Sequence, residues 1–388
     1  MAWIVPENKL DAQQREFLDN VDINRSNVWI KGFAGSGKSI LLAYTVKKVC
    51  KKFPSASIVL IVFTQSLVEM FKAALKEENL NIPVETYYKF MDDDSHYDYI
   101  LCDEVQDLTP SILREMNNRG AHVIVAGDSN QSIYKSDPRR NEPTVMPSEV
   151  GRLINGVDFQ LGIIHRLSQS IVNAVRRFLP RMDIFSSKID MMHSDTQIRL
   201  CKAPSEEKEV AYIIEQATKA VNTGDTATIL IPTAKKIVHF VNIALTNAGK
   251  PIWEETTNRY GKPDYGAMNT YLKNNGLRMQ YVGNGYGHFS ENDRRIIIMT
   301  FHSAKGLDFD NVFIPFVNNN MYICPDESMA KTLFMVAMTR ARKNLYISYY
   351  GYPSNYLDAF SSDCAHIDIS LSKEDKKETT NSDNIWGF

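Results

Sequence analysis

Short apolar, β-branched runs recur along the chain about every thirty to fifty residues, and helical patterns fill the gaps between them. That alternation constrains the fold most, because strand–helix–strand repeats build a parallel sheet covered by helices. In the first half, strands are predicted at "NVWIKG", "SIVLIVFT", "YDYILCDE" and "HVIVAGD". Helices are predicted at "GKSILLAYTVKKV", "SLVEMFKAALKEE" and "TPSILREMNN". A second series starts near residue 160 with "FQLGII" and continues through "IRLCKA", "TATILIPT", "RRIIIMTF", "NVFIPFV" and "NLYISYY". The stretch "SEEKEVAYIIEQATKAVNTG" reads as a helix capped by Ser205, acidic in its first turn and closed by Gly224.

A chain of 388 residues accommodates two domains of ordinary size. The expected division is 1–155 and 156–368, with Pro143, Pro147 and Gly151 marking the hinge. Residues 252–292, rich in Asn, Gly and aromatics, read as a small surface insertion with a hairpin at Asn284-Gly285. The polar tail 369–388 is expected to be disordered, with Trp386 and Phe388 as a candidate docking motif. A net charge of −2 means that any nucleic-acid footprint must be local. The five cysteines, Cys50, Cys102, Cys201, Cys324 and Cys364, form no CxxC pair and suit reduced thiols. With no signal pattern at the N-terminus and no run long enough for a bilayer, a cytoplasmic protein without membrane partners is expected.

"GFAGSGKS", residues 32–39, fits the phosphate-binding pattern G-x-x-x-x-G-K-[ST] between a predicted strand and a predicted helix. Gly32, Gly35 and Gly37 would let backbone amides of Ala34 to Ile40, Ser36 included, curl around phosphates without Cβ clashes. Lys38 would neutralise the β- and γ-phosphates of ATP, and Ser39 would ligate Mg²⁺. A bare glycine-rich turn leaves Lys and Ser at those offsets unexplained. Asp103 and Glu104 end an apolar strand, and two adjacent carboxylates there call for a cation. Asp103 would hold Mg²⁺ through water and Glu104 would take the proton of the attacking water; alternatively, the pair is an acidic helix start. Gln131, in the polar turn "GDSNQSIY", is a candidate γ-phosphate sensor or simply a turn cap.

Nine strings in order, "LDAQQ", "GFAGSGKS", "VFTQS", "ETYYKF", "CDEVQD", "GDSNQSIY", "IIHR", "MTFHSAKGLDF" and "VAMTRAR", resemble the motif series of superfamily 1 helicases of the UvrD/Rep/PcrA group. The likeness covers most of residues 10–350. It implies an α/β protein of two RecA-like domains with mainly parallel sheets, ATP in the interdomain cleft and single-stranded DNA across the top. On that resemblance, Gln14 reads adenine, His165 stacks on it, and Asp308, beside Gly306, touches the nucleotide sugar. Arg166 and Arg340 serve as arginine fingers from the second domain, and Glu104 and Gln131 complete the catalytic set. Thr64, Thr86, Tyr134, Thr300 and His302 fall where the family contacts DNA or couples it to ATP.

Three departures stand out. His165 stands where the family has an aromatic over adenine, and an imidazole stacks over less area. Ser136 and Asp137 occupy the positions of a Trp-Arg pair that stacks on bases, and a carboxylate there would repel a phosphate-lined channel. The large accessory insertions are nearly absent. The expected function is a DNA-stimulated, Mg²⁺-dependent ATPase translocating 3′-to-5′ on single strands. Its expected setting is a DNA repair or anti-phage defence system, beside a protein partner such as a nuclease. The competing expectation is an ATP-driven switch or regulatory subunit that does not move along DNA.

Overall fold

A computed structural model describes residues 5–128, 132–137, 140–165, 167–180, 188–189, 194–259, 261–288, 294–360 and 364–370. Among them the first sheet runs in the order Val84–Thr86, Ile58–Val62, Tyr97–Cys102, Gly120–Gly127, Asn27–Gly32, Gly156–Leu161, and every pairing is parallel. Successive side chains of a strand point to opposite faces, so each apolar run feeds two cores. Val28, Ile30, Ile58 and Leu60 meet Leu41, Leu42 and Val46 of the helix Lys38–Lys52 and Phe71 of the helix Gln65–Glu77. Trp29, Val59 and Ile61 meet Ile112, Leu113 and Met116 of the helix Pro110–Arg119 on the other face.

The second sheet runs Met279–Tyr281, Ile296–Thr300, Ala227–Ile231, Phe309–Ile314, Ala341–Tyr350, Gln197–Ala203, Ala365–Asp368, again parallel throughout. The helices Glu206–Asn222, Ala234–Asn247 and Tyr265–Asn274 cover one face, and Gln169–Phe178 and Glu327–Met338 cover the other. Phe33 and Ala34 of the first lobe belong to the second lobe's core cluster, so the phosphate-loop segment lies at the seam of the two. No helix among the described residues is long and apolar enough to cross a membrane.

Three expectations are corrected. The domain boundary at 155/156 is too early: Gly156–Leu161 pairs with Asn27–Gly32 from Asn27↔Gly156 to Gly32↔Leu161 and belongs to the first lobe. The expected hinge at Pro143–Gly151 also lies inside that lobe, because Val150 and Leu153 are buried against Trp29 and its neighbours; the chain crosses over after Leu161. Finally, residues 252–292 are more than a surface insertion. Trp253, Tyr265, Met268, Leu272 and Tyr281 share a buried cluster with the helices Glu206–Asn222 and Ala234–Asn247, and Met279–Tyr281 forms the sheet's edge strand. The tip is the expected hairpin: Gly283 and Tyr286 exchange backbone bonds around Asn284 and Gly285, both at positive φ (51° and 81°). Residues 371–388, with Trp386 and Phe388, lie outside the described residues.

Candidate functional site

The strand Asn27–Gly32 delivers the chain into a loop that only glycine can make at two places. Gly35 and Gly37 have φ of 81° and 84°. A Cβ on Gly37 would lie 2.2 Å from Gln14 Nε2, and one on Gly32 would lie 2.3 Å from Ser36 Oγ. Gly37 caps the helix Lys38–Lys52 without a side-chain bond, which leaves the first-turn amides for an anion. Ala34 is buried in the seam and Ile40 packs half-buried against the Leu10–Tyr44 cluster; both side chains are apolar, so only their backbone amides can serve a phosphate. Lys38 is buried and folds back on its own loop, donating to the carbonyls of Gly32 (2.9 Å) and Phe33 (3.1 Å).

Around the loop, Gln14 closes a capping box with Asp11 and donates from Nε2 to the Ser36 carbonyl at 3.2 Å. The amide expected to read adenine is thereby pinned between helix cap and phosphate loop. His165, expected to stack on adenine, donates its backbone N–H to the Gly35 carbonyl (2.9 Å) and sets Nε2 2.5 Å from Asp11 Oδ2. Burial would raise the Asp11 carboxyl, but the His165 ring and the Gln14 amide outweigh it and hold it below the usual range.

Ser39 donates to Asp103 Oδ2 at 2.5 Å, joining phosphate loop and neighbouring strand end through the two groups expected to hold Mg²⁺. Burial first, and then the charge of Glu104, push Asp103 up to about 6. A divalent cation would relieve that strain, and Mg²⁺ commonly binds through one or two carboxylates with substrate phosphates supplying other ligands. The residues fit the ion. Glu104, in the left-handed region at φ 56°, donates its backbone N–H to Asp103 Oδ1 (3.0 Å) and accepts from Gln106 Nε2 (2.5 Å). Burial would raise its carboxyl too, but Lys305, Lys38, the Gln106 bond and Arg340 together hold it low, as an ionised base requires.

Lys305 was not singled out in the sequence. It comes from the second lobe, lies within "HSAKGLDF", is 4% exposed, pairs with Asp107 and stands 3.7 Å from Glu104 Oε2. Burial would lower its ammonium, yet Asp107 and Glu104 raise it. Asp107 is pushed up to about 6 by burial despite this partner. The missed signal was a lysine inside the motif paired with a third acid, Asp107, in "DEVQD". Arg340 is buried, with its guanidinium donating to the carbonyls of Val336 (2.9 Å) and Leu307 (3.1 Å) while its charge reaches Glu104. Gln131 and Arg166 lie outside the described residues.

The open space lies beside this crevice, in an interlobe cleft of about 1680 Å³. Thr64, Thr86 and Tyr134 border it from the first lobe, and Thr300 and His302 from the second. All five residues expected to contact DNA therefore share one cavity. An aromatic row crosses its floor, with Phe63 4.7 Å from Tyr134 and Tyr134 5.7 Å from His302 between ring centroids. Asp308, expected at the nucleotide sugar, borders this cleft and faces Arg342 Nε at 3.6 Å. Gly306 approaches the helix Gln65–Glu77 so closely that a Cβ would lie 2.7 Å from Leu67 Cδ2.

Among the described residues, the lining carries Glu69, Glu77, Asp92 and Asp308 against one lysine, Lys89, which is paired with Glu85 at 3.0 Å. Asp137 is not among the described residues that border the cleft. It is buried in a two-strand turn, paired through the backbone with Glu142, and its Oδ1 accepts from Arg140 N (3.3 Å), while its charge reaches Tyr87. Lys135, just before it, reaches Asp326 of the second lobe at 2.5 Å.

Two family matches cover complementary parts of the chain: residues 14–137 match an AAA domain, and residues 255–352 match the UvrD-like helicase C-terminal domain. No curated protein matches the chain. Among solved structures, similarity extends to the arterivirus nonstructural protein 10 helicase in complex with DNA, at 16% identity and TM-score 0.43 over 88% of this chain. The match spans 64% of the length of that helicase chain. A second match is the C-terminal domain of a possible DNA helicase from Lactobacillus plantarum, at 15% identity and TM-score 0.34, covering 53% of this chain and 99% of that one.

Proposed function

Residues 255–352 match the UvrD-like helicase C-terminal domain, and from that premise we propose that the chain is a UvrD-like helicase, an ATP- and Mg²⁺-dependent ATPase stimulated by single-stranded DNA, which it grips in the interlobe cleft and moves along. The observation that carries this reading is one connection, Thr300–Asp308. It borders the cleft through Thr300 and His302 and, three residues later, sets the Lys305 ammonium against Glu104 and Asp107. A strand that shifts this loop must alter the charge around the candidate base.

In the proposed site, Lys38 leaves its loop carbonyls for the β- and γ-phosphates, while Ser39 and Asp103 hold the cation. Mg²⁺ would neutralise phosphate charge as it develops. Glu104 takes the proton of the attacking water, and Gln131, Arg166 and Arg340 stabilise or sense the γ-phosphate. Gln14 and His165 must give up part of their contacts to meet a base. The 3′-to-5′ polarity, the role in repair or defence and the partner nuclease rest on the resemblance alone.

The acidic lining of the cleft and the substituted Ser136-Asp137 pair favour a second reading, an ATP switch acting on a protein partner without translocation. ATP hydrolysis with and without single-stranded DNA across a salt series separates the two. The motor requires stimulation that weakens as salt rises. Absence of stimulation at every salt concentration favours the switch.

A further inference from the structure

We propose that the cleft takes an unpaired strand without stacking on its bases, because the chain's own rings already fill the spaces that bases would enter. The inference rests on the reading of the cleft as the strand site and narrows it to a site for the sugar-phosphate chain. Parallel register sets Val62 beside Thr86, so the next residues of the two strands, Phe63 and Tyr87, leave the sheet side by side. Their rings stack at 5.1 Å between centroids and 27° between planes. Tyr134 stacks on Phe63 in turn at 4.7 Å and 29°, and Tyr87 packs on Tyr88 at 4.0 Å. Phe63, Tyr88 and Tyr134 border the cleft, and Tyr87 is buried behind them.

A base held between two rings keeps them apart by two stacking distances, roughly 7 Å. Neither gap beside Phe63 is that wide, and the flanking rings are held. Tyr87 is 2% exposed and opens the helix Tyr87–Met91. The Tyr134 carbonyl accepts from the hydroxyls of Ser132 (3.1 Å) and Thr144 (2.9 Å). An entering base would have to break one ring contact before making its own. Stacking on an open protein ring, by contrast, is worth roughly 5- to 150-fold in affinity per base. Across the cleft, Tyr286 is also engaged, its hydroxyl accepting from Asn258 Nδ2 (2.9 Å) and its ring meeting Tyr265 edge-on at 5.8 Å. The strand meets instead the hydroxyls of Thr64, Thr86 and Thr300, and contacts of that kind position a backbone without reading sequence.

Affinities for an end-labelled oligothymidylate and for an abasic oligomer of the same length are compared by anisotropy at fixed salt. Wild type should bind the two within about threefold, less than the smallest gain expected from one stacked base. Phe63→Ala removes the middle ring and leaves Tyr87 and Tyr134 at most about 10 Å apart, room for one base. That variant should prefer oligothymidylate by about tenfold, whereas a Phe63 that stacks on bases would make the preference fall. Melting temperatures recorded in parallel show whether Phe63→Ala is folded; if it is not, the wild-type comparison decides alone. A wild-type preference for oligothymidylate beyond about threefold, or a folded Phe63→Ala with no greater preference than wild type, overturns this inference while sparing the strand-cleft reading. Failure of the wild-type chain to bind either oligomer removes both.

Discussion

Replacing Lys305 with methionine tests whether the interlobe ion pair is set by the acids it faces. The substitution keeps the length and apolar stem and removes only the charge, leaving Asp107 and Glu104 buried without their partner. Breaking a buried pair in this way typically costs about 3–5 kcal/mol. The cost must depend on pH, and the sign follows from Asp107. With Lys305 present, burial already pushes this carboxyl up to about 6. Without the ammonium it rises further, so the folded variant retains a proton that the unfolded chain releases. A buried acid of that kind gives stability at low pH that is lost as pH rises. Relative to wild type, Lys305→Met should therefore lose about 1.4 kcal/mol per pH unit above pH 6, or roughly 2–3 kcal/mol by pH 8. Urea unfolding of both proteins at pH 6, 7 and 8 reads this directly. In the same variant the acid limb of the ATPase profile should move upward, because Glu104 loses the first of the charges that hold it low. A stability difference that is flat across that range would refute the reasoning, since it would mean that neither carboxylate depends on Lys305 for its ionisation.

Other substitutions probe the remaining parts. Gly37→Ala should cost about 1–2 kcal/mol from its left-handed backbone and, by driving its Cβ into Gln14 Nε2, lower affinity for a fluorescent ATP analogue more than tenfold; unchanged affinity would show that the Gln14 contact has no part in the site. Glu209 is buried in the second lobe and pushed up to about 7, with the Phe316 amide (2.8 Å) and Ser348 hydroxyl (2.6 Å) pulling against burial. Stability from its protonated form is fully present below about pH 4.5 and lost by about pH 7. Glu209→Gln should flatten that fall, worth about 3 kcal/mol, and an unaltered melting-temperature profile would exclude the assignment.

The phosphate loop, the Asp103-Glu104 pair and the alternating elements were legible because local rules decide them: glycine at positive φ, carboxylates at a strand end, apolar runs with flanking caps. The edge strand Val84–Thr86 was not read as a strand, and Met279–Tyr281 was read only as a hairpin arm and not as an edge of the second sheet. At three residues each they carry no periodicity, and only pairing with a longer neighbour makes them extended. The boundary error at 155/156 has the same origin, since Gly156–Leu161 shows exposed and intermediate positions typical of an edge and gives no sign of which sheet it joins. Lys305 escaped notice because its partners lie almost two hundred residues away, and a lone lysine in sequence is ordinarily a solvated one.

One consequence of the shared Thr300–Asp308 loop can be measured without catalysis. If strand and ATP favour the same arrangement of that loop, each must tighten the other, and thermodynamic linkage makes the two factors equal. Glu104→Gln is the suitable background, because it removes the proposed base and leaves the phosphate loop and Asp103 in place to bind ATP. In that variant, saturating oligonucleotide should lower the ATP dissociation constant about 5- to 150-fold, and saturating ATP should lower the oligonucleotide constant by the same factor. The loop is stiff enough to transmit such a bias: Thr300 Oγ1 bonds Ser303 Oγ at 2.9 Å and Ser303 N at 3.1 Å, Lys305 N bonds the His302 carbonyl at 3.2 Å, and Arg340 Nη1 holds the Leu307 carbonyl at 3.1 Å. A factor of one in both directions would leave the cleft and the phosphate loop as independent sites. Hydrolysis could then not be what moves a strand, and the switch acting on a protein partner would become the better account of why carboxylates outnumber lysines among the described residues at the opening.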